Sequence, residues 1–221
     1  SFATVMKLDG NTWVNVGSSG FSSGTVSYLD FKFNGTTPYL TYSDASNGFK
    51  ISVKMFDGIN WVNIGADGFS DGQAYWCQLD FKSNGDPIVA FRDAANGLNH
   101  SSVMQFNGTN WVYVGTPGFG DYEQWYLDLE INNDIIYLAS TEWNTNHPNY
   151  PVSPSNNTSL MKFNGNSWEY VGDPFLTNVY TIYNSLNFDS NNNPWIGFRE
   201  DNEASVMRFT PLCQSTTNNI T

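Results

Sequence analysis

An internal repeat constrains the fold of this chain more than any other feature. Four segments share one pattern and read VMKLDGNTWVNVG (5–17), VKMFDGINWVNIG (53–65), VMQFNGTNWVYVG (103–115) and LMKFNGNSWEYVG (160–172). Their anchor residues are Trp13, Trp61, Trp111 and Trp168, and a truncated copy, SVMRFTP, follows at 205–211. A unit that recurs about every 50 residues is typical of proteins built by stacking like elements.

A second pattern alternates with the first and begins at 28, 78, 126 and 185 with YLDF, QLDF, YLDL and SLNF. Each repeat then holds four short runs of strand-forming residues, separated by turn signals such as Asn84-Gly85 and Asn107-Gly108. Asn-Gly supplies the positive φ angles of a tight hairpin. Four antiparallel strands per repeat are typical of a propeller blade. We therefore predict an all-β, four-bladed β-propeller.

The repeats resemble those of bacterial propellers with the pattern VMKFNG-x-x-W-x-x-VG and, more loosely, tachylectin-like and Asp-box propellers. This resemblance covers nearly the whole chain. It implies that the LDF run forms the innermost strand of each blade and that the Trp run forms the outermost strand.

That arrangement divides one domain, 1–221, into blades and connecting segments. The predicted units are the outer strands of a shared closing blade (1–17), three full blades (26–65, 75–115 and 125–172, the last with a loop insertion at 144–159), the inner strands of the closing blade (183–210) and a tail (211–221).

The two ends of the chain offer one strand too many for four blades. The segment with Val5, Met6 and Leu8 and the segment with Val206, Met207 and Phe209 compete for the same place in the closing blade. A surplus strand either frays or pairs with the edge of a second copy. Pairing with a second copy can propagate into a filament, so self-association is one expected partnership.

Composition excludes several classes of partner. The chain has 9 Lys and Arg against 21 Asp and Glu, a net charge of −12, and phosphate binding needs clustered basic residues. We expect no nucleic-acid partner, no membrane insertion, since no apolar run approaches a spanning length, and no cofactor. The chain begins at Ser1 and not at Met, which suits a processed mature chain or an excised fragment. We expect it to be extracellular or at the cell surface.

Two sets of side chains could carry binding chemistry. Aromatic residues near the blade entrances, with Asn and Asp close by, suit carbohydrate rings: Tyr75, Trp76, Trp125 and Tyr180. The alternative is that these rings only pack between blades. Asp30, Asp80 and Asp128 recur on the predicted inner strands and form a weak candidate for a cation site; bonding to backbone amides is the commoner role.

Catalytic motifs receive little support from the sequence. G-x-S-x-G occurs at 20–24 and 68–72, but it repeats with the blades and no helix follows, so an interblade loop with Phe as a plug is favoured. Glycoside hydrolysis needs one isolated acid–base pair, which a periodic set of carboxylates does not match.

The remaining candidates concern modification. Six Asn residues fit the N-glycosylation pattern, and Cys77 and Cys213 could form one disulfide or stay as thiols. The six are Asn34, Asn99, Asn107, Asn156, Asn157 and Asn219.

The sequence alone thus predicts a non-catalytic extracellular structural or adhesive propeller, glycosylated and able to assemble by strand exchange. The alternatives are a tachylectin-like lectin and a propeller fragment of a larger secreted enzyme.

Overall fold

A computed structural model describes residues 1–96, 99–144, 155–177 and 179–209. Its regular elements are β-strands, apart from one 3-10 turn at Ala45–Asn47. The strands are β1 (Met6–Asp9), β2 (Thr12–Asn15), β3 (Val26–Asn34), β4 (Thr37–Asp44), β5 (Lys50–Phe56), β6 (Trp61–Asn63), β7 (Ala74–Phe81), β8 (Pro87–Asp93), β9 (Ser101–Phe106), β10 (Trp111–Tyr113), β11 (Glu123–Asn132), β12 (Ile135–Asn144), β13 (Ser155–Phe163), β14 (Trp168–Tyr170), β15 (Thr181–Phe188), β16 (Pro194–Glu200) and β17 (Glu203–Arg208).

The strands form consecutive antiparallel sheets, each a meander. Three sheets have four strands, in the orders β3-β4-β5-β6, β7-β8-β9-β10 and β11-β12-β13-β14; a hairpin, β1-β2, precedes them and a three-stranded sheet, β15-β16-β17, follows. Neighbouring sheets pack through their first strands, β3 against β7, β7 against β11 and β11 against β15. The all-β propeller class predicted from the sequence is confirmed.

Turn chemistry sets the hairpins as expected. Gly85 and Gly108 have φ angles of 90° and 92°, which the Asn-Gly pairs supply without steric cost. The Asp44 carboxylate accepts from the Ser46 amide, and Asp93 accepts from the Ala95 amide in the same way.

A repeated contact between an indole, a backbone carbonyl and a phenylalanine ring joins the first four sheets in succession. The Trp61 indole donates to the Val16 carbonyl (2.8 Å), and Trp111 and Trp168 donate likewise to the preceding sheet. A loop phenylalanine stacks on each indole, with centroids 4.6, 4.4 and 4.1 Å apart: Phe21 on Trp61, Phe69 on Trp111 and Phe119 on Trp168. The predicted phenylalanine plug is therefore confirmed.

The serines of the G-x-S-x-G segments hold these loops in place. Ser70 Oγ accepts from the Ile51 amide and donates to the Gly72 carbonyl, and it is 2% exposed. Ser22 makes the equivalent pair of bonds to Ala3 and Gly24. Neither hydroxyl faces a histidine among the described residues, so both serve the fold.

The predicted closing blade differs from the structure. The hairpin β1-β2 forms a sheet separate from β15-β16-β17, and β17 takes the third position of its own sheet. β1 does not compete with it, because the Val16 amide bonds the Val5 carbonyl just as Ile64 bonds Val53 in the next sheet. Each third-strand copy thus belongs to its own blade.

The third four-stranded sheet includes part of the predicted loop insertion. Residues 155–159, predicted as part of a loop insertion at 144–159, lie in β13, paired with β12; residues 145–154 and the tail 211–221 lie outside the described residues.

The described part of the chain contains no helix of the length and apolarity that a membrane span requires.

Candidate functional site

The inner strands share an unusual backbone feature near their starts. Each has a bulge whose extra residue is an aromatic with positive φ: Tyr28 (49°), Trp76 (49°), Tyr126 (51°) and Tyr183 (60°). A non-glycine residue in this region costs about 1–3 kcal/mol and occurs preferentially at functional sites. Bulges also redirect a side chain next to such sites.

The four bulged side chains touch in succession and form what we call the aromatic arc (Tyr28, Trp76, Tyr126 and Tyr183). Centroid distances are 5.1 Å from Tyr28 to Trp76, 5.6 Å from Trp76 to Tyr126 and 4.6 Å from Tyr126 to Tyr183. Tyr28 is 41% and Tyr183 is 59% exposed. The arc is therefore a continuous run of touching aromatic rings from four sheets, exposed at its two ends and partly buried at Trp76 and Tyr126.

A buried cation lies beside this arc. The Arg92 guanidinium on β8 lies 3.7 Å from the Trp125 ring and 5.5 and 5.6 Å from the rings of Tyr75 and Trp76. Its Nη2 is 3.6 Å from a carboxylate oxygen of Glu123. Burial lowers the pKa of Arg92, and Glu123 opposes that shift.

Further along the same inner strands lies a group of charged residues. Lys32 Nζ on β3 is 3.4 Å from Glu130 Oε1 on β11. Burial lowers the pKa of Lys32, but attraction to Glu130, Asp80 and Asp30 outweighs burial, so the pKa is raised overall. Charges from three blades therefore meet around the central axis.

The three aspartates of this group link successive blades. Asp30 Oδ2 accepts from the Leu79 amide (2.9 Å), Asp80 Oδ2 accepts from Ile131 (2.6 Å), and Asp128 Oδ2 accepts from Leu186. The role as an acceptor for backbone amides, which the sequence favoured over cation binding, is present at all three. Among the described residues, no group of three or more Asp, Glu, His or Cys has the geometry to hold a metal ion.

Burial raises the pKa of three carboxyls in this group. It raises the pKa of Asp128 to about 7, with repulsion from Glu130 and Asp30 adding to the shift and the Leu186 bond opposing it. It also raises the pKa of Asp80 and of Glu130.

The aspartates are not periodic as the sequence alignment suggested. Strand pairing places Asp30 opposite Thr41 and Asp128 opposite Ala139, but the residue at that position of β7 is Gln78, opposite Ala90. Asp80 lies two residues further along, at the level of Lys32 and Glu130. The turn between β7 and β8 is longer than the turn between β3 and β4. Matching the LDF segments by sequence therefore places Asp80 two residues away from the position equivalent to Asp30.

The predicted sugar contacts are brought together in part. Trp76 belongs to the arc, its ring is 5.1 Å from Trp125, and Tyr75 is 5.5 Å from Tyr28. Tyr180 precedes β15 and is 47% exposed. The sequence analysis missed Tyr28, Tyr126 and Tyr183, although a recurring aromatic at the start of each inner strand was a signal that could have found them.

Of the glycosylation candidates, the structure places Asn157 in the interior. It is fully buried on β13, and its amide donates to the carbonyls of Thr177 and Val179, so a glycan there would break both bonds. Asn107 is exposed in a hairpin turn, while Asn34, Asn99 and Asn156 are partly buried. Asn219 lies outside the described residues.

The remaining candidates concern the ends of the chain and the thiols. Met6 and Leu8 in β1 and Val206 in β17 are 48%, 57% and 68% exposed; Val5, Met207 and Phe209 are half-buried. Cys77 is 1% exposed, and burial raises the pKa of its thiol. Cys213 lies outside the described residues, so the disulfide stays a prediction.

Comparison with known proteins finds solved structures of similar fold but no match by sequence. No protein-family model and no curated protein matches the chain. Similar solved structures include an endo-1,4-beta-xylanase from Bacteroides thetaiotaomicron (TM-score 0.55, 13% identity, 95% of this chain and 82% of that one) and an endo-arabinase from the same organism (0.56, 10%, 90% and 82%). A thermostable family-43 glycoside hydrolase is similar at 0.55 and 12%, over 90% of this chain and 79% of that one.

These neighbours correct the functional prediction from sequence. The expectation of a non-catalytic structural or adhesive propeller is contradicted by these three similar structures, each of which is named as a glycan-degrading enzyme. The periodicity of the aspartates spoke against a single acid–base pair, but the strand register keeps only Asp30 and Asp128 at equivalent positions and moves Asp80 away from them.

Proposed function

We propose that the chain is a carbohydrate-active propeller that hydrolyses glycosidic bonds at the central axis, with the aromatic arc as its glycan platform. The carrying observation is the placement of two carboxyls of unequal environment, Asp128 and Glu130, on one inner strand beyond the arc. The names of the structural neighbours support carbohydrate as the substrate class.

Asp128 has the features of a general acid. With a pKa of about 7, its carboxyl retains a proton over much of the acidic to neutral range. Its Oδ2 accepts from Leu186, whereas both oxygens of Asp30 and of Asp80 accept backbone bonds. Oδ1 of Asp128 makes no hydrogen bond within the described residues, which leaves it to donate a proton to a glycosidic oxygen.

Glu130 is the matching base. It lies two residues after Asp128, so both side chains point to the same side of β11, with their Cα atoms about 6.6 Å apart. Inverting glycosidases need carboxyls about 6.5–9.5 Å apart, which leaves room for a water between them, and side chains that leave one strand face at this Cα spacing can reach that separation. Lys32 holds one oxygen of Glu130, and the other is left to activate that water.

The test is release of reducing sugar from xylan and arabinan by the purified protein. We expect the unaltered chain to be active, and Asp128→Asn and Glu130→Gln each to lower kcat about 100-fold or more. Asp30→Asn is the matched control, since it alters the equivalent position of β3 and keeps an oxygen for the Leu79 amide. Absence of hydrolysis in the unaltered chain, or equal losses in all three variants, would refute the proposal.

A further inference from the structure

The Arg92 side chain has more hydrogen-bonding capacity than its surroundings use. It is 7% exposed, and its one charged neighbour in the described chain is Glu123, at 3.6 Å. Its Nε has no hydrogen-bond partner there. A buried guanidinium is costly unless it is paired and hydrogen-bonded, so the N–H at Nε calls for an acceptor.

The repeat supplies a direct comparison. Arg199 occupies the same position of the last sheet, since Arg92 pairs with Tyr75 and Arg199 pairs with Ile182. Arg199 donates to the Asp201 carbonyl and to Asn202 Oδ1 at 2.9 Å each. Nε of Arg199 therefore has a hydrogen-bond partner within its own hairpin, whereas Nε of Arg92, beside the aromatic rings, has none in the described chain.

A second unmet donor lies against the first. The Trp125 indole Nε1 is buried and has no partner among the described residues, and its ring stacks on the Arg92 guanidinium at 3.7 Å. Both groups are donors, so the missing ligand group is an acceptor. A planar carboxylate fits best, because its two oxygens can accept from a guanidinium and from a neighbouring donor at once, whereas Glu123 at 3.6 Å pairs with the charge without a hydrogen bond.

Resting on the proposed function for its choice of a glycan, we propose that this site binds a hexuronic acid residue of an acidic polysaccharide. The uronate carboxylate accepts from Arg92 and Trp125, and the sugar ring lies on the neighbouring rings of Tyr75 and Trp76. A neutral sugar offers the same ring but only hydroxyls to these two donors.

The experiment titrates the unaltered protein with digalacturonate and with the same disaccharide after reduction of its carboxyls, following tryptophan fluorescence. We expect digalacturonate to bind about 10-fold or more tightly than the reduced form, the difference that one charge-assisted pair supplies. Equal affinities, or no binding of either disaccharide at millimolar concentration, overturn the proposal.

Two variants separate recognition from support of the fold. Arg92→Lys keeps the charge but loses the two-pronged geometry, so it should weaken digalacturonate about 10-fold and leave the reduced disaccharide unchanged. Arg199→Lys is the matched control and should change neither. Equal weakening of both disaccharides by Arg92→Lys contradicts the proposal, and the ratio measured on the unaltered protein tests it even if that variant does not fold.

Failure of this inference is distinguishable from failure of the proposed hydrolysis. Asp128→Asn removes the proposed acid but not the uronate site, so it should retain the preference for digalacturonate. A protein that prefers digalacturonate and cleaves no glycan supports the binding site alone; one that cleaves glycans without the preference supports the hydrolysis alone.

Discussion

Replacing Trp111 by alanine tests the idea that indole contacts between sheets hold the propeller together. Trp111 is 8% exposed, stacks on Phe69 at 4.4 Å with planes 6° apart, and donates to the Ile64 carbonyl at 2.7 Å. A tryptophan buried in this way costs about 3–5 kcal/mol when truncated to alanine. Of that loss, the stack contributes about 0.5–1.5 kcal/mol and the hydrogen bond about as much.

The chain contains its own control for this substitution. Trp13 holds the same position in the hairpin β1-β2, but it is 63% exposed, and none of the described sheets buries it as the preceding sheet buries Trp111. Trp13→Ala should therefore change the free energy of unfolding by no more than about 0.5 kcal/mol. Trp111→Phe keeps most of the ring and should cost about 1 kcal/mol through the lost donor.

Urea denaturation followed by far-ultraviolet circular dichroism gives the three free energies. The expected order of loss is Trp111→Ala, then Trp111→Phe, then Trp13→Ala. The reasoning fails if Trp13→Ala destabilises the protein as much as Trp111→Ala, because burial against the preceding sheet would then not be the source of the stability.

Three further substitutions test separate features. Because the pKa of Asp128 is raised to about 7 from an ordinary value near 4, its contribution to stability is complete below about pH 4 and is lost as pH rises through about 7; Asp128→Asn should raise Tm relative to the unaltered protein at pH 8 more than at pH 5, and an equal shift at both would contradict the assigned acidity. Ser70→Ala should lower the free energy of unfolding by about 1–3 kcal/mol, because it leaves the Ile51 amide unpaired. It should leave glycan hydrolysis unchanged at a temperature where the variant is folded; a loss of kcat there would indicate that Ser70 acts as a nucleophile. Tyr183→Gly should leave Tm equal or higher, because glycine adopts the φ of 60° without strain, while weakening binding of xylan oligosaccharides; a fall in Tm would mean that the tyrosine is held there by packing.

The sequence predicted the blade architecture well because that information is local. Strand runs, Asn-Gly turns and the Phe–Trp plug each depend on a few neighbouring residues, and their repetition fixed the fold class. Closure of the ring depends on which distant strands pair, and here the prediction failed: β1 and β17 occupy equivalent positions in different sheets.

The candidate site was harder to predict because it depends on register. A bulge at each inner strand and unequal turn lengths decide whether Asp80 lies level with Asp128 or with Glu130, and neither is evident from matching LDF segments. Likewise, Nε of Arg92 lacks a hydrogen-bond partner because aromatic rings and Glu123 surround this side chain in the folded protein. Three-dimensional pairing, and not residue type, separates Arg92 from Arg199.

The aspartate links between blades all run in one direction along the chain. Asp30, Asp80 and Asp128 each accept a hydrogen bond from a backbone amide of the following sheet, so the three seams between β3, β7, β11 and β15 each depend on a carboxyl group supplied from the N-terminal side. Losing one of them should loosen a single seam and leave the others closed, and faster deuterium uptake at the Leu186 amide alone would mark the opening that Asp128 normally prevents. The Asp128 carboxyl proposed to donate the catalytic proton therefore also holds two neighbouring sheets together, so opening of this seam should displace the proposed acid.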